Sequence, residues 1–210
     1  MVTFVLSPDE AEVVTGEDQC GPCVRLQLPG GNAGFTGSSK TKLKSSVQRS
    51  LRAKLVEQFP LLAPHIDEIL PKKSQLSLLK APERLSLYAL DNEVLFFQHH
   101  DDALFPSLRL VHKFPDCFPT VQIDRGAIRF VMAGAMLMCP GLTSPGARLP
   151  AEGEGYDAGM VVAVNAEGKE NACMVGMLKM GTDEIRKVNK GVGVETVHYL
   201  GDGLWRLDAD

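Results

Sequence analysis

Leu43, Val47, Leu51, Leu55 and Phe59 recur at every fourth position, the spacing of an apolar stripe along one helix. Ser38 or Ser39 stands where a cap would start this helix, and Pro60 ends it or opens the next element. The following "PLLAPHIDEIL" predicts a second short helix, stopped by Pro71. The pattern then changes. "QLSLLKA", "RLSLYAL" and "EVLFFQH" read as strands, with Asp91-Asn92 as the turn that joins the last two into a hairpin. "PSLRLVHKF", between Pro106 and Pro115, predicts a short helix. Residues 40–116 therefore form one α+β unit.

A second unit, residues 117–210, has shorter elements. "TVQI" is a strand, Asp124 a helix cap for "RGAIRFVMA", and Gly134 stands where a left-handed helix end would fall. "MLMCPGL" reads as a buried strand, followed by the loop "TSPGARLPAEGEGYDAG". "MVVAVNAEGKENACMVGMLKM" predicts a long hairpin turning at Glu167-Gly168-Lys169. Thr182 caps "DEIRKVNK", which Gly191 closes, and "GVETVHYL", the Asp202-Gly203 turn and "LWRLD" finish the pattern, with Trp205 expected in the core. Short strands, turn signals and two small helices predict a small, partly closed mixed β-barrel.

Residues 1–39 fit neither unit. "LPGGNAGFTGSS" has nothing to bury and reads as a flexible extension. No apolar run reaches the roughly 18–20 residues that span a bilayer, and "MVTFVLSPDEAEVV" lacks the basic start of a secretory signal. A cytoplasmic protein with no membrane partner is expected. The formal charge of −4 does not advertise nucleic-acid binding, but its distribution is uneven. "KTKLKSSVQRSLRAK" carries Lys40, Lys42, Lys44, Arg49, Arg52 and Lys54 without an acid, and Lys72 and Lys73 extend the same basic patch. A solvated helix face is its plainer use. The second unit is acidic, with 9 Lys and Arg against 12 Asp and Glu.

Cys20-Gly21-Pro22-Cys23 has the spacing of a thiol redox motif. Its context opposes that use: no strong strand precedes it, Pro29-Gly30-Gly31 leaves no room for a supporting helix, and Glu17 and Asp18 raise a nearby thiol pKa. None of the five histidines completes a zinc site with this pair. His99-His100-Asp101-Asp102 reads as a solvated loop, because adjacent strand histidines point to opposite faces. No phosphate loop, metal pair or nucleophile elbow appears. Neither an enzyme nor a cofactor is expected.

The stretches "VQIDRGAIRFVMAGAMLMCPGLTSPGA", "VNAEGKENACMVG" and "KVNKGVGVETVHYLGDGLW" resemble a PUA domain, an RNA-binding module. More narrowly, "VEQFP", "ILPKK", "LFFQ", "PSLRLVHKFP", "IDRGAIRFV", "MCPGLTSPGA", "KVNKG" and "DGLW" occur in the order found in the malignant T-cell-amplified sequence proteins, and are similar to the front half of ligatin. The resemblance implies an α+β domain packed on a PUA domain. It also implies translation work on the small ribosomal subunit: re-initiation, ribosome recycling and non-standard initiator tRNA delivery. The implied partner is the density-regulated protein, an SUI-domain protein expected to act in trans.

The resemblance places RNA contact at Gly134-Ala135, at Met138-Cys139-Pro140-Gly141-Leu142, and at Lys179-Met180. Glycine admits a backbone to a ribose or phosphate, Met138 and Leu142 suit the underside of a base, and Lys179 suits a phosphate. Plainer uses stand beside these: Gly134 ending a helix, Met138 filling the barrel. An acidic PUA domain fits a defined RNA end, such as a tRNA 3′ tail, better than general RNA affinity. At about 100° per residue, Phe130 falls off the apolar side of its helix, which suggests an interdomain seam or a protein partner. Ser144-Pro145 makes a turn or a phosphorylation site. A protein-interaction adaptor without RNA contact is the alternative function.

Overall fold

A computed structural model describes residues 40–81, 84–100 and 102–207. The extension at 1–39, with Cys20, Cys23 and the serine caps, lies outside the described residues.

The first domain opens on strand β1 (Lys40–Lys42), which pairs antiparallel with β2 (Ser77–Ala81). Residues 40–42 thus form an edge strand. Helix α1 (Ser45–Gln58) follows, with Lys44 at its N-cap. The four-residue stripe holds only in part, because steps of four drift about 40° around a helix. Leu51, Leu55 and Phe59 are buried, whereas Val47 turns out to solvent and Gln48 takes the inner position. The Gln48 amide stays satisfied there by donating to the Ser74 carbonyl at 3.0 Å. A 3₁₀ turn (Pro60–His65) and α2 (Ile66–Ile69) replace the single second helix.

β2, β3 (Leu85–Leu90) and β4 (Glu93–His99) form an antiparallel meander closed by the short β5 (Phe105–Pro106). Asp91 (φ 48°) and Asn92 (φ 67°) supply the two left-handed positions of a two-residue hairpin. Helix α3 (Leu108–Lys113) starts where the Ser107 hydroxyl accepts the Leu110 N–H at 3.2 Å.

The second domain is a five-stranded mixed sheet in the order β6-β8-β9-β10-β7. Its strands are β6 (Thr120–Ile123), β7 (Leu137–Met138), β8 (Val161–Ala166), β9 (Ala172–Leu178) and β10 (Val192–Tyr199). β6 and β8 are parallel; the other pairs are antiparallel. Helices α4 (Ile128–Met132) and α6 (Thr182–Val188), with the single turn α5 (Pro140–Thr143), cover the barrel. α4 begins after a turn in which Asp124 accepts the Gly126 N–H at 2.8 Å, so Asp124 caps the turn and not the helix. Asn189 (φ 46°) takes the left-handed end of α6, ahead of Gly191.

The two domains share a core. On β8, Val162, Val164 and Ala166 point into the barrel, while Val161 and Ala163 join Phe97, Phe105, Leu108 and Val111 of the first domain. This is the period-2 alternation of a strand buried on both faces. Polar contacts fix the seam. His112 Nε2 donates to the Ala172 carbonyl at 2.8 Å, and Arg109 donates to the Trp205 carbonyl at 2.9 Å. Trp205 therefore sits half-buried on the interdomain seam, not in the barrel core. Buried His198 lies 5.9 Å edge-on to the Phe97 ring and bonds through Nδ1 to Asp202 at 2.7 Å. A carboxylate only accepts, so Nδ1 carries the proton. Among the described residues no helix is long and apolar enough to cross a membrane.

Candidate nucleic-acid interface

Helix α4 stops in a double hydrogen bond: Gly134 N–H donates to the Val131 carbonyl at 2.9 Å, and Ala135 N–H to the Phe130 carbonyl at 3.0 Å. This is the Schellman ending, and it requires the left-handed residue that Gly134 (φ 78°) provides. The glycine is also sterically required, because a Cβ there would lie 3.0 Å from the Tyr199 ring and hydroxyl. The Thr196 hydroxyl then donates to the Ala135 carbonyl at 2.7 Å, pinning the turn to β10.

β7 follows as the sheet edge, with Met138 opposite Val192 and Leu137 opposite Val194. Its side chains alternate. Leu137 and Cys139 are buried in the barrel, while Met138 is 48% exposed. Ala135, Met136 and Pro140 are exposed with it, so an open, largely apolar ridge runs along this edge. The expectation of a continuous buried strand fails here, because an edge strand has one face covered and one open. Met138 does not fill the barrel.

Two of the expected contact residues, Cys139 and Leu142, are instead fully buried. The Cys139 thiol lies 3.4 Å from the Lys190 carbonyl and 3.8 Å from the Met180 sulfur. Burial pushes its pKa up, as it does for Cys117, and it pushes Cys173 up to about 11. Gly141 is a packing glycine, its missing Cβ facing Ala127 at 3.0 Å. Leu142, Cys139 and Gly141 hold the ridge from below and do not offer themselves to a ligand.

Lys179 extends β9 past its end, and its N–H donates to the Gly193 carbonyl at 2.9 Å. The expected residues are strung along β10: Gly134 packs at its Tyr199 end, Ala135 at Thr196, and Met138 and Lys179 at its start, opposite Val192 and beside Gly193. The Lys179 ammonium is not a bare cation: it pairs with Glu195 Oε2 at 2.9 Å. Glu195, Thr196, Tyr199 and Met136 are site residues that sequence reading missed. The alternation of "GVETVHYL" contained the signal for Glu195, an acid amid a strand of buried residues.

Phe130 is 52% exposed on α4, beneath the Arg129 guanidinium at 4.6 Å. The seam is built of other residues. Met132, on the same helix, is exposed as well. Ser144 closes α5, its hydroxyl donating to the Pro140 carbonyl at 2.5 Å.

The basic run does not form a single helix face. Lys40 and Lys42 are on β1 and Lys44 is the N-cap, while Arg49 and Lys54 are exposed on α1. Arg52 turns inward, donating to the Leu70 carbonyl and to Asp67. Lys72 reaches the same carboxylate at 3.6 Å. The hydrogen bond from Arg52 holds the Asp67 carboxyl below its ordinary value. Lys72 therefore adjoins α1 through an acid that offsets part of the charge, and Lys73 is exposed beside it.

A Pre-PUA-like domain matches residues 32–115 and a PUA domain matches residues 119–200. Translation machinery-associated protein 20 of Saccharomyces cerevisiae is 56% identical over 172 residues, covering 82% of this chain and 94% of that protein. Malignant T-cell-amplified sequence 2 of Homo sapiens is 45% identical over 172 residues, covering 81% and 92%. The chain belongs to the family of these two proteins. The resemblance read from the sequence is borne out, as is the α+β domain followed by a PUA barrel. Among solved structures, a hypothetical protein of the hyperthermophilic archaeon Pyrococcus horikoshii superposes with a TM-score of 0.67 at 20% identity, over 81% of this chain and 99% of that one. A PUA domain protein of Aeropyrum pernix gives 0.63 at 23% identity, over 82% and 92%. These two likenesses concern the fold.

Proposed function

We propose that this chain is a non-catalytic translation factor that binds RNA through its PUA ridge. It works on the small ribosomal subunit in the cytoplasm, in re-initiation, recycling and non-standard initiator tRNA delivery. The observation that carries the RNA contact is the open edge at Ala135–Pro140, where Met138 stands 48% exposed above a fully packed barrel. An exposed apolar shelf beside a strand edge accepts an unstacked base. The translation context is supported by the 56% identity to a protein named for association with the translation machinery. Exposed Lys42, Lys44, Arg49, Lys54 and Lys73 supply a phosphate-facing surface on the first domain.

Phe130 and Met132 form a separate exposed apolar site on α4, suited to a protein partner. That partner is an SUI-domain protein, the density-regulated protein, acting in trans. Affinity purification of the full chain from cytosol tests the proposal: it recovers an SUI-domain protein together with small-subunit proteins, and recovery of neither overturns it. The adaptor reading draws on one observation, the neutralised Lys179. It predicts ribosome association that is lost without the partner and that RNA of any kind fails to replace.

A further inference from the structure

A cleft of about 480 Å³ lies on the seam between the two domains, within the size range of small-molecule sites, which favour domain interfaces. Helix α3 forms one wall, with Arg109, His112 and Lys113 at the i, i+3 and i+4 positions of one face. The hairpin tip at Asp91 and Glu93 forms the rim, and Leu204, Trp205 and Leu207 of the second domain stand opposite. The charges along this wall leave one cation over. Lys113 pairs with Glu93 at 2.6 Å. Arg109 pairs with no acid among the described residues: one guanidinium nitrogen donates to the Trp205 carbonyl, and the group lies 5.5 Å from the Trp205 ring. Its remaining donors form a planar fork that matches a carboxylate.

The base of the cleft holds the second polar group. His198 lines it while being 1% exposed, with Nδ1 held by Asp202. In the neutral ring Nε2 then keeps a lone pair. No described residue donates to Nε2, and among the described residues no side-chain nitrogen or oxygen is both sealed from the surface and unpaired. Nε2 therefore opens into the cleft as an acceptor. From this we infer that the seam cleft binds a small organic acid that also carries an N–H or O–H donor: its carboxylate meets Arg109, its donor meets His198 Nε2, and its apolar body lies against Leu204 and Leu207. One uncompensated cation suits a single negative charge. A phosphate monoester carries about −1.5 to −2, and exposed Asp91 at the rim opposes the excess. A ligand in this cleft touches both domains and so stabilises their packed arrangement. The inference is independent of the RNA ridge.

The test titrates the full chain with N-acetyl-leucine, which has a carboxylate, an N–H donor and an apolar body. N-acetylleucinamide lacks the charge, and isocaproate lacks the donor. N-acetyl-leucine is expected to bind about fivefold more tightly than either, the scale of one partly exposed ion pair or one hydrogen bond. It shifts the nitrogen resonance of His198 Nε2, which isocaproate leaves in place, and it raises the thermal midpoint of the whole chain. Arg109→Gln weakens its binding by about fivefold. Arg109→Lys, which keeps the charge without the fork, also weakens it and keeps the inference testable if the first variant fails to fold. Absence of N-acetyl-leucine binding overturns the inference. So does equal binding of the amide, an affinity that both Arg109 variants leave unchanged, or a His198 Nε2 resonance that does not respond. None of these outcomes touches RNA binding at Met138, so failure here leaves the ridge reading standing.

Discussion

The PUA sheet carries apolar side chains on two surfaces outside its barrel, and only one of them is covered. Val161, Ala163, Val175 and Val197 pack against Phe97, Phe105 and Leu108 of the first domain. Met136 and Met138, at the β7 edge, and Phe130 and Met132, on α4, have no such cover within the described chain. The residue types are alike, so composition does not separate the two. Position does. The covered surface lies on the central strands β8, β9 and β10, where α3 and β5 cross it, and it is locked by His112 and Arg109. The open surface lies at the sheet edge, beyond the reach of the first domain. Apolar side chains on the central strands hold the two domains together; the same chemistry at the edge is available to a ligand.

This contrast breaks most visibly at the seam. Val175→Asp buries a carboxylate at a site with 0% exposure. It is expected to cost about 4 kcal/mol or more, and to destabilise both domains in one transition, read by chemical denaturation. Two separate transitions, with only the PUA domain weakened, would show that the shared core does not couple them. The next effect is smaller. Asp202 accepts from His198 Nδ1 at 2.7 Å, Tyr199 N–H at 3.0 Å and Trp205 N–H at 2.8 Å. Asp202→Ala orphans these donors beneath the seam and is expected to cost about 2–3 kcal/mol.

On the open side the expected pattern reverses. Met138→Asp changes stability by no more than about 0.5 kcal/mol, yet weakens binding of single-stranded RNA by about tenfold, the loss of one stacked base. Phe130→Asp is equally mild for folding and weakens partner binding while leaving RNA affinity in place. Loss of both activities in either variant would merge the two open sites into one. The mildest test leaves the sequence unaltered. Burial raises the pKa of Cys117 and Cys139 and takes Cys173 to about 11. The thiolate is the reactive form, so a pKa raised by two units from 9 slows alkylation near neutral pH by about a hundredfold. Native alkylation followed by mass spectrometry should modify Cys139 before Cys117 and Cys173, because Cys139 directly follows the two-residue edge strand β7, whose local opening uncovers it. Simultaneous labelling of all three would make the open edge as rigid as the seam.

Local patterning carried far in this chain. The Asp91-Asn92 hairpin, the Gly134 helix end and the Glu167-Gly168-Lys169 turn were legible because each rests on a backbone conformation that few residues adopt. The order of motifs pointed to the two domains for the same reason: turn chemistry and apolar periodicity are written within a few residues of where they act. Periodicity was less reliable across distance. The every-fourth stripe named Val47 for the core, and helical drift put Gln48 there instead. Cys139 and Leu142 were grouped with Met138 by adjacency, but alternation and the α5 turn sent them to the opposite face.

What the sequence determined by itself was where the main helices and hairpins form and which segment of the PUA domain carries the ridge. Tertiary structure alone decided which apolar side chains stay uncovered, that Trp205 serves the seam, that Arg52 turns inward to Asp67, and that Lys179 meets Glu195. The reason is physical. Backbone turns and amphipathic periods depend on neighbours along the chain, whereas burial and charge pairing depend on groups that are distant in sequence and meet only when sheets and domains close on one another.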